Sequence, residues 1–163
     1  ANMQQFINTV NGFPLVVKAA KGSFGAQVTL ARSREELFAQ AKRAGTSSLV
    51  FQEYVEANGE DIRLYVAGER IFAGLKRKAA KGDFRANLSV GGSMTPYEPT
   101  AREAELAIEA CRGVGASFAG VDLIGGVRPL ILEVNSNAHF KNLLLGTGRN
   151  YADAVADYIL KSV

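Results

Sequence analysis

Gly120-Val121-Asp122-Leu123-Ile124-Gly125-Gly126-Val127-Arg128-Pro129-Leu130-Ile131-Leu132-Glu133-Val134-Asn135 reads as two short strands joined by a turn rich in glycine and closed by proline. The flanks are apolar and β-branched, yet Asp122 interrupts the first strand, and Glu133 and Asn135 punctuate the second. Strand alternation puts Glu133 and Asn135 on one face and Leu132 and Val134 on the other. If Gly125 pairs with Leu130 across the turn, Asp122 comes opposite Glu133 and three oxygen donors converge. Two carboxylates and a carboxamide, with no His or Cys in the pattern, suit a hard cation such as Mg2+ or Mn2+ held together with substrate phosphates. The alternative is a pair of ordinary edge-strand charges. Acids embedded among Ile, Leu and Val favour the site.

Working outward, the hairpin sits among further short strands and capped helices. Pro14-Leu15-Val16-Val17-Lys18 is a strand, residues 19–25 form a glycine loop, and Ala26-Gln27-Val28-Thr29-Leu30 returns as a second strand. Ser33 with Glu36 has the spacing of a capping box, and Leu37, Phe38 and Ala41 recur at helical spacing before Gly45. Residues 49–55 read as a buried strand, and 61–66 with 70–75 as a hairpin around Gly68-Glu69. Residues 79–93 read as a loop. Thr100 caps a helix over 101–112, strands follow at 118–124 and 130–134, and a last helix over 151–161 places Ala154, Val155, Tyr158 and Ile159 on one face. A short helix over 3–10 would align Phe6, Ile7 and Val10. Strands clustered between helices, with hairpins frequent, predict an α+β fold with mainly antiparallel sheets.

Composition narrows the function classes. The 163 residues are 47% hydrophobic and 21% charged, enough for a real core in one compact domain or two small lobes. Those proportions exclude a disordered or collagen-like chain. The single cysteine, Cys111, excludes an internal disulfide, suits a reducing compartment and reads as core. No stretch approaches a membrane span and residues 1–13 lack the pattern of a signal peptide, so a cytoplasmic protein with no membrane partner is expected. A net charge of +3 suits small anionic ligands. Nucleic acid is not expected as a partner, because the aromatics are not interleaved with the basic residues.

Several segments outside the hairpin carry candidate chemistry. Lys18 with the loop Gly22-Ser23-Phe24-Gly25 offers a cation and flexible backbone N–H groups to phosphate oxygens, though such a loop is also an ordinary turn. It lacks the third glycine of a dinucleotide fingerprint and the ending of a Walker P-loop. Gln52-Glu53-Tyr54-Val55 could offer an adenine one backbone donor, one acceptor and apolar walls. Asp61 is placed either to accept from ribose hydroxyls or to pair with Lys76 across the hairpin. The stretch Lys76-Arg77-Lys78, Lys81 and Arg85-Ala86-Asn87 is either a solvated basic face or a cradle for phosphoryl oxygens. His139 has no nucleophile partner in the pattern and is not expected to act as a base.

Taken together, Pro-Leu-Val-Val-Lys, Gly-Ser-Phe-Gly, Gln-Glu-Tyr-Val, Gly-Glu-Asp-Ile-Arg, Gly-Asp-Phe-Arg-Ala-Asn, Gly-Gly, Val-Asp-Leu and Leu-Glu-Val-Asn occur in an order that resembles the ATP-grasp ligases, in particular the RimK-like group of glutamate ligases. The resemblance covers the chain from about Phe13 onward. It implies an ATP-grasp fold of two α+β lobes, the first over 1–55 with the glycine loop and adenine hinge, the second over 56–163 with the metal site. It implies that Lys18 and Gly22, Ser23, Phe24 and Gly25 contact the nucleotide phosphates and that Gln52, Glu53, Tyr54 and Val55 hold adenine. It also implies that Asp61 takes the ribose, that Arg85, Ala86 and Asn87 line the phosphate end, and that Asp122, Glu133 and Asn135 bind two Mg2+ or Mn2+ ions. The implied reaction is ATP-dependent amide formation through an acyl phosphate. It joins an amino acid such as glutamate to a peptide, protein or small molecule, with Arg63, Arg77 or Arg85 holding the acyl phosphate and later oxyanion. A nucleotide-binding module of the same fold without catalysis is the alternative. Family members carry an N-terminal domain and an earlier lysine that this chain does not contain, so a fragment of a longer ligase is expected. The segment Ser136-Asn137-Ala138-His139-Phe140-Lys141 departs from the family turn after the metal asparagine and leaves the substrate open.

Overall fold

The structure is a computed structural model that describes residues 7–8, 12–20, 28–86 and 91–162. Gly22, Ser23, Phe24, Gly25 and Asn87 lie outside the described residues, as does most of the helix expected over 3–10. The chain divides into two compact units, Ala1–Glu56 and Ala57–Val163.

In the first unit, strands β1 (Leu15–Ala19), β2 (Val28–Ala31) and β3 (Leu49–Glu53) form an antiparallel sheet in the order β2-β1-β3, with helix α1 (Arg34–Ala44) between the last two in sequence. Ser33 caps the helix by accepting from the Glu36 N–H at 3.3 Å, while Glu36 accepts from the Arg32 N–H at 2.8 Å. Alternation along β1 sends Leu15 and Val17 into a core with Ala31 and Leu37. Two expectations change here. Phe38 is 47% exposed beneath the Arg34 guanidinium, because its neighbour Leu37 takes the core position. The third strand is half-buried, not buried, and stops at Glu53, leaving Tyr54 and Val55 beyond it.

The second unit is a five-stranded antiparallel sheet in the order β6-β5-β4-β7-β8. Its strands are β4 (Glu60–Ala67), β5 (Arg70–Lys78), β6 (Ser93–Pro96), β7 (Phe118–Ile124) and β8 (Leu130–Asn135). Helix α2 (Ala101–Gly113) lies on one face, where Ala107 and Cys111 meet Ile62, Leu64, Val66, Val121 and Leu123. Cys111 is buried, as expected of core, and burial pushes its thiol up. Helices α3 (Lys141–Thr147) and α4 (Tyr151–Ser162) share the other face, where Leu143 and Tyr151 meet Tyr65, Ala67, Ala73 and Leu75. Ile159 is 49% exposed and falls outside that contact, because Tyr151, Ala154, Val155 and Tyr158 form the inward stripe. Helix α3 and strand β6, whose first residue ends the stretch expected as loop, are additions to the expected elements. Among the described residues no helix is long and apolar enough to cross a membrane.

Candidate active site

The hairpin of β7 and β8 brings Asp122 opposite Glu133 and Gly120 opposite Asn135. Its turn is one residue longer than expected, since Ile124, not Gly125, faces Leu130. An irregularity between Asp122 and Leu123 leaves Leu132 unpaired and restores the acids to the same rung. Glu133 is exposed and Asn135 half-buried. Gly120 is needed as glycine: a Cβ there would sit 2.8 Å from the Ala138 methyl, so the turn after Asn135 folds directly onto this face.

Asp122 is 7% exposed and belongs to a chain of four charges. Arg63, its partner on β4, forks onto it with Nε to Oδ1 at 2.6 Å and Nη2 to Oδ2 at 2.7 Å. Arg77 reaches Oδ2 from β5 at 2.9 Å. Arg77 also forks onto Asp61, Nε to Oδ1 at 2.6 Å and Nη2 to Oδ2 at 2.7 Å. Asp61 thus pairs with Arg77, not with the expected Lys76. The hairpin turn itself sets Ala67 opposite Arg70, but an irregularity between Tyr65 and Val66 leaves Phe72 unpaired and advances every later partner by one. Lys76 consequently faces Ile62 and binds Glu60 at 2.6 Å.

Two acids and two bases make the chain neutral, which is what permits its burial. Burial raises the Asp122 carboxyl, but hydrogen bonds from Arg63 and the charges of Arg77 and Arg63 outweigh it and hold the group below its ordinary value. At Asp61 burial prevails over Arg77 and the carboxyl sits above its ordinary value. Burial pulls Arg77 down, yet Asp61 and Asp122 together hold it above the usual guanidinium value.

The donors fit a hard divalent cation. A carboxylate offers about four lone-pair sites, and the three guanidinium contacts leave one on Oδ1 of Asp122. Glu133 and Asn135 follow on the same face with oxygen donors. Among the described residues no three His, Cys, Asp or Glu side chains cluster as a metal site, so any such site here depends on the carboxamide of Asn135.

The remaining candidates are placed within their own units. Lys18 is half-buried on the central strand of the first sheet, on the face shared with Val16, Val50 and Gln52. Glu53 is exposed, and the Tyr54 hydroxyl donates to Glu56 at 3.1 Å. In the second unit Arg85 is held by Asp83, with Nη2 to Oδ2 at 2.7 Å and the Arg85 backbone N–H to Oδ1 at 2.9 Å. Ala86 is buried, and His139 is exposed while its carbonyl accepts from the Tyr65 hydroxyl at 3.0 Å. Sequence reasoning missed Asp83. Its signal was an Asp two residues before an Arg, the spacing at which a carboxylate takes a backbone N–H ahead of it.

A profile of the RimK-like ATP-grasp domain matches residues 1–159. The chain is 39% identical over 166 residues to the probable alpha-L-glutamate ligase 2 of Shewanella amazonensis, covering 99% of this chain and 55% of that protein. It is 37% identical over 165 residues to the probable alpha-L-glutamate ligase of Pseudoalteromonas translucida, with the same coverage of 99% and 55%. The chain therefore spans about half the length of the curated relatives it matches. Among solved structures, the D-alanine–D-alanine ligase of Bacillus anthracis complexed with ATP is similar with a TM-score of 0.74 at 20% identity, over 99% of this chain and 57% of that one. The ATP-grasp ligase PsnB, complexed with a phosphomimetic variant of its minimal precursor, Mg and ADP, gives 0.72 at 20%, over 98% and 50%. At these identities the likeness carries the fold.

Proposed function

The chain belongs to the RimK-like ATP-grasp family, and from that membership we propose that it works as an ATP-dependent carboxylate–amine ligase. The amino acid is glutamate, after the names of the relatives, and the acceptor is a peptide, protein or small molecule. Lys18 and residues 22–25 bind the phosphates, and Gln52, Glu53, Tyr54 and Val55 hold adenine. Asp61, whose oxygens each keep a lone pair beyond the Arg77 fork, accepts from the ribose. Arg85, Ala86 and Asn87 line the phosphate end.

Asp122, Glu133 and Asn135 would hold a divalent cation, which supplies Lewis-acid neutralisation of the phosphoryl oxygens. A substrate carboxylate oxygen attacks the γ-phosphorus and the bond to the β-bridging oxygen breaks, giving an acyl phosphate and ADP. The amine then attacks the acyl carbon, loses a proton, and phosphate leaves. Both steps gather negative charge on oxygens, and guanidinium forks are suited to hold it. Arg63 and Arg77, already side by side on Asp122, are the groups proposed for that task with Arg85.

One observation supports this reading above the others: Asp122 and Glu133 share a rung, with Asn135 on the same face and two arginines against the buried acid. Titration calorimetry with a non-hydrolysable ATP analogue tests it. Binding is expected to depend on Mg2+ and to weaken by about 10–100-fold in Glu133→Gln. Binding indifferent to Mg2+ would overturn the assignment.

A further inference from the structure

The neutral chain of charges contains one member whose arrangement the proposed ligand roles do not explain. Asp61 faces Arg77 directly across β4 and β5, and Arg63 faces Asp122 across β4 and β7. Arg77 must therefore reach Asp122 diagonally over β4, two residues and one strand beyond its own partner. It does so with one nitrogen. Nη2 is shared between Asp61 Oδ2 at 2.7 Å and Asp122 Oδ2 at 2.9 Å, while Nε is committed to Asp61 Oδ1 at 2.6 Å.

We propose that Asp61 is a positioning residue for the cation site: by taking the Nε and Nη2 edge of Arg77 it limits that arginine to a single contact with Asp122, and so keeps Asp122 able to ligate a divalent cation. The inference rests on the reading of Asp122, Glu133 and Asn135 as cation donors. Its physical content is a competition. Arg63 already occupies both oxygens of Asp122. A second guanidinium turned edge-on to the same carboxylate would take the last lone pair on Oδ1 and place two positive charges against one negative. Asp61 prevents both outcomes, by geometry and by charge. With Glu133 counted, the five groups Asp61, Arg63, Arg77, Asp122 and Glu133 carry a net charge of −1, which favours a cation. Without the Asp61 carboxylate they carry none, and the same face shifts toward anions.

That shift gives a signature of opposite signs, read on the 163-residue chain without turnover. Mn2+ uptake is followed by the electron paramagnetic resonance of the free ion, and inorganic tripolyphosphate, which has no ribose, is titrated by calorimetry. In Asp61→Asn, Mn2+ affinity falls about tenfold or more, while tripolyphosphate binds more tightly. In the double variant Asp61→Asn/Arg77→Gln the excess positive charge is gone, and Mn2+ affinity returns most of the way to wild type. If Asp61→Asn weakens ADP but leaves Mn2+ and tripolyphosphate unchanged, the residue is a ribose contact alone and the positioning role is refuted. If Mn2+ and tripolyphosphate weaken together with a lower unfolding midpoint, and the double variant recovers neither, the role is merely structural and the proposal again fails. Glu133→Gln separates the two levels. Loss of Mn2+ there, with Asp61→Asn unaffected, leaves the metal reading standing and removes the inference. A wild-type chain that takes up no Mn2+ removes both.

Discussion

Replacing Arg77 by Met removes the guanidinium while keeping most of the volume of its aliphatic stem, so the loss that follows is electrostatic and not a cavity. Arg77 supplies both hydrogen bonds to Asp61 and one contact to Asp122, and its residue is 8% exposed. Asp122 keeps the Arg63 fork, but Asp61, with a side chain 15% exposed, is left as a largely desolvated carboxylate without its partner. Breaking a buried pair on one side costs about 3–5 kcal/mol, a large share of the roughly 5–15 kcal/mol by which a domain is stable. The loss must also depend on pH. In the native chain burial already pushes the Asp61 carboxyl above its ordinary value against the pull of Arg77, and without Arg77 it climbs further. A carboxyl whose folded pKa exceeds its unfolded one adds stability below the unfolded value and loses it as pH rises through the folded value. The deficit of Arg77→Met is therefore greatest near neutrality and narrows toward acid. Urea unfolding followed by tyrosine fluorescence reads this well. The chain has no Trp, and four of its five tyrosines (Tyr65, Tyr97, Tyr151 and Tyr158) lie in the unit Ala57–Val163. A loss below about 1 kcal/mol at unchanged m, or one equal at neutral and mildly acid pH, would refute the account of the four charges.

Tyr151→Phe keeps the ring in the core beside Tyr65 and Phe72 but deletes a hydroxyl whose single proton is shared between the Val66 and Ala119 carbonyls on β4 and β7. About 1–3 kcal/mol of stability is expected to go, with Mn2+ affinity untouched, as chemical denaturation and metal titration would show. Asp83→Asn addresses the acid limb. The Arg85 side chain holds the Asp83 carboxyl down to about 2, so its contribution is present above the ordinary value of 3.8 and disappears as pH falls toward about 2. The pair is half-buried at the surface and worth about 1 kcal/mol. Circular dichroism should show a shallower acid transition in the variant over that range alone.

How far the sequence reveals this architecture depends on the scale of the feature. The short apolar, β-branched runs in Phe118–Ile124 and Leu130–Asn135 and the caps at Ser33 and Thr100 are local signals, and each element they announce is present. What escaped is set by single residues acting at a distance. Strand β6 has four residues and ends in Pro96, too short to show a period, and it forms because β5 offers an edge. Helix α3 has no side-chain cap and is held by Leu143 against the sheet. The irregularity at Phe72 is invisible in a hairpin of regular alternation, yet it alone decides that Asp61 meets Arg77 and not Lys76. Glu103 shows the same limit. Its place in a capping box is legible, but not that the carboxylate is 1% exposed, binds the Tyr97 hydroxyl at 2.9 Å and stands against Gly125 at the turn of the hairpin that carries Asp122 and Glu133.

The candidate site and the core on that side of the second sheet are two halves of one surface. Along β4 the residues on this face run Asp61, Arg63, Tyr65, Ala67, and along β5 their partners run Arg77, Leu75, Ala73 and then Arg70 at the turn. Helices α3 and α4 pack Leu143 and Tyr151 over the apolar half. Tyr65 stands at the boundary: its ring joins that core, 5.0 Å from the ring of Tyr151, while its hydroxyl holds the His139 carbonyl. Its partner on β7 is Gly120, where the missing side chain admits Ala138. The turn after Asn135 is thus fastened at the junction, beside Arg63 and the last of the proposed cation donors. Alternation assigns a residue to a face, and only the partner strands decide whether that position is core or chemistry. A buried ion pair is weak evidence of stability, because apolar residues of similar volume often replace one without loss. Two such pairs on a face that could have continued as Leu and Ala are better accounted for by the proposed role of Asp122 as a cation donor.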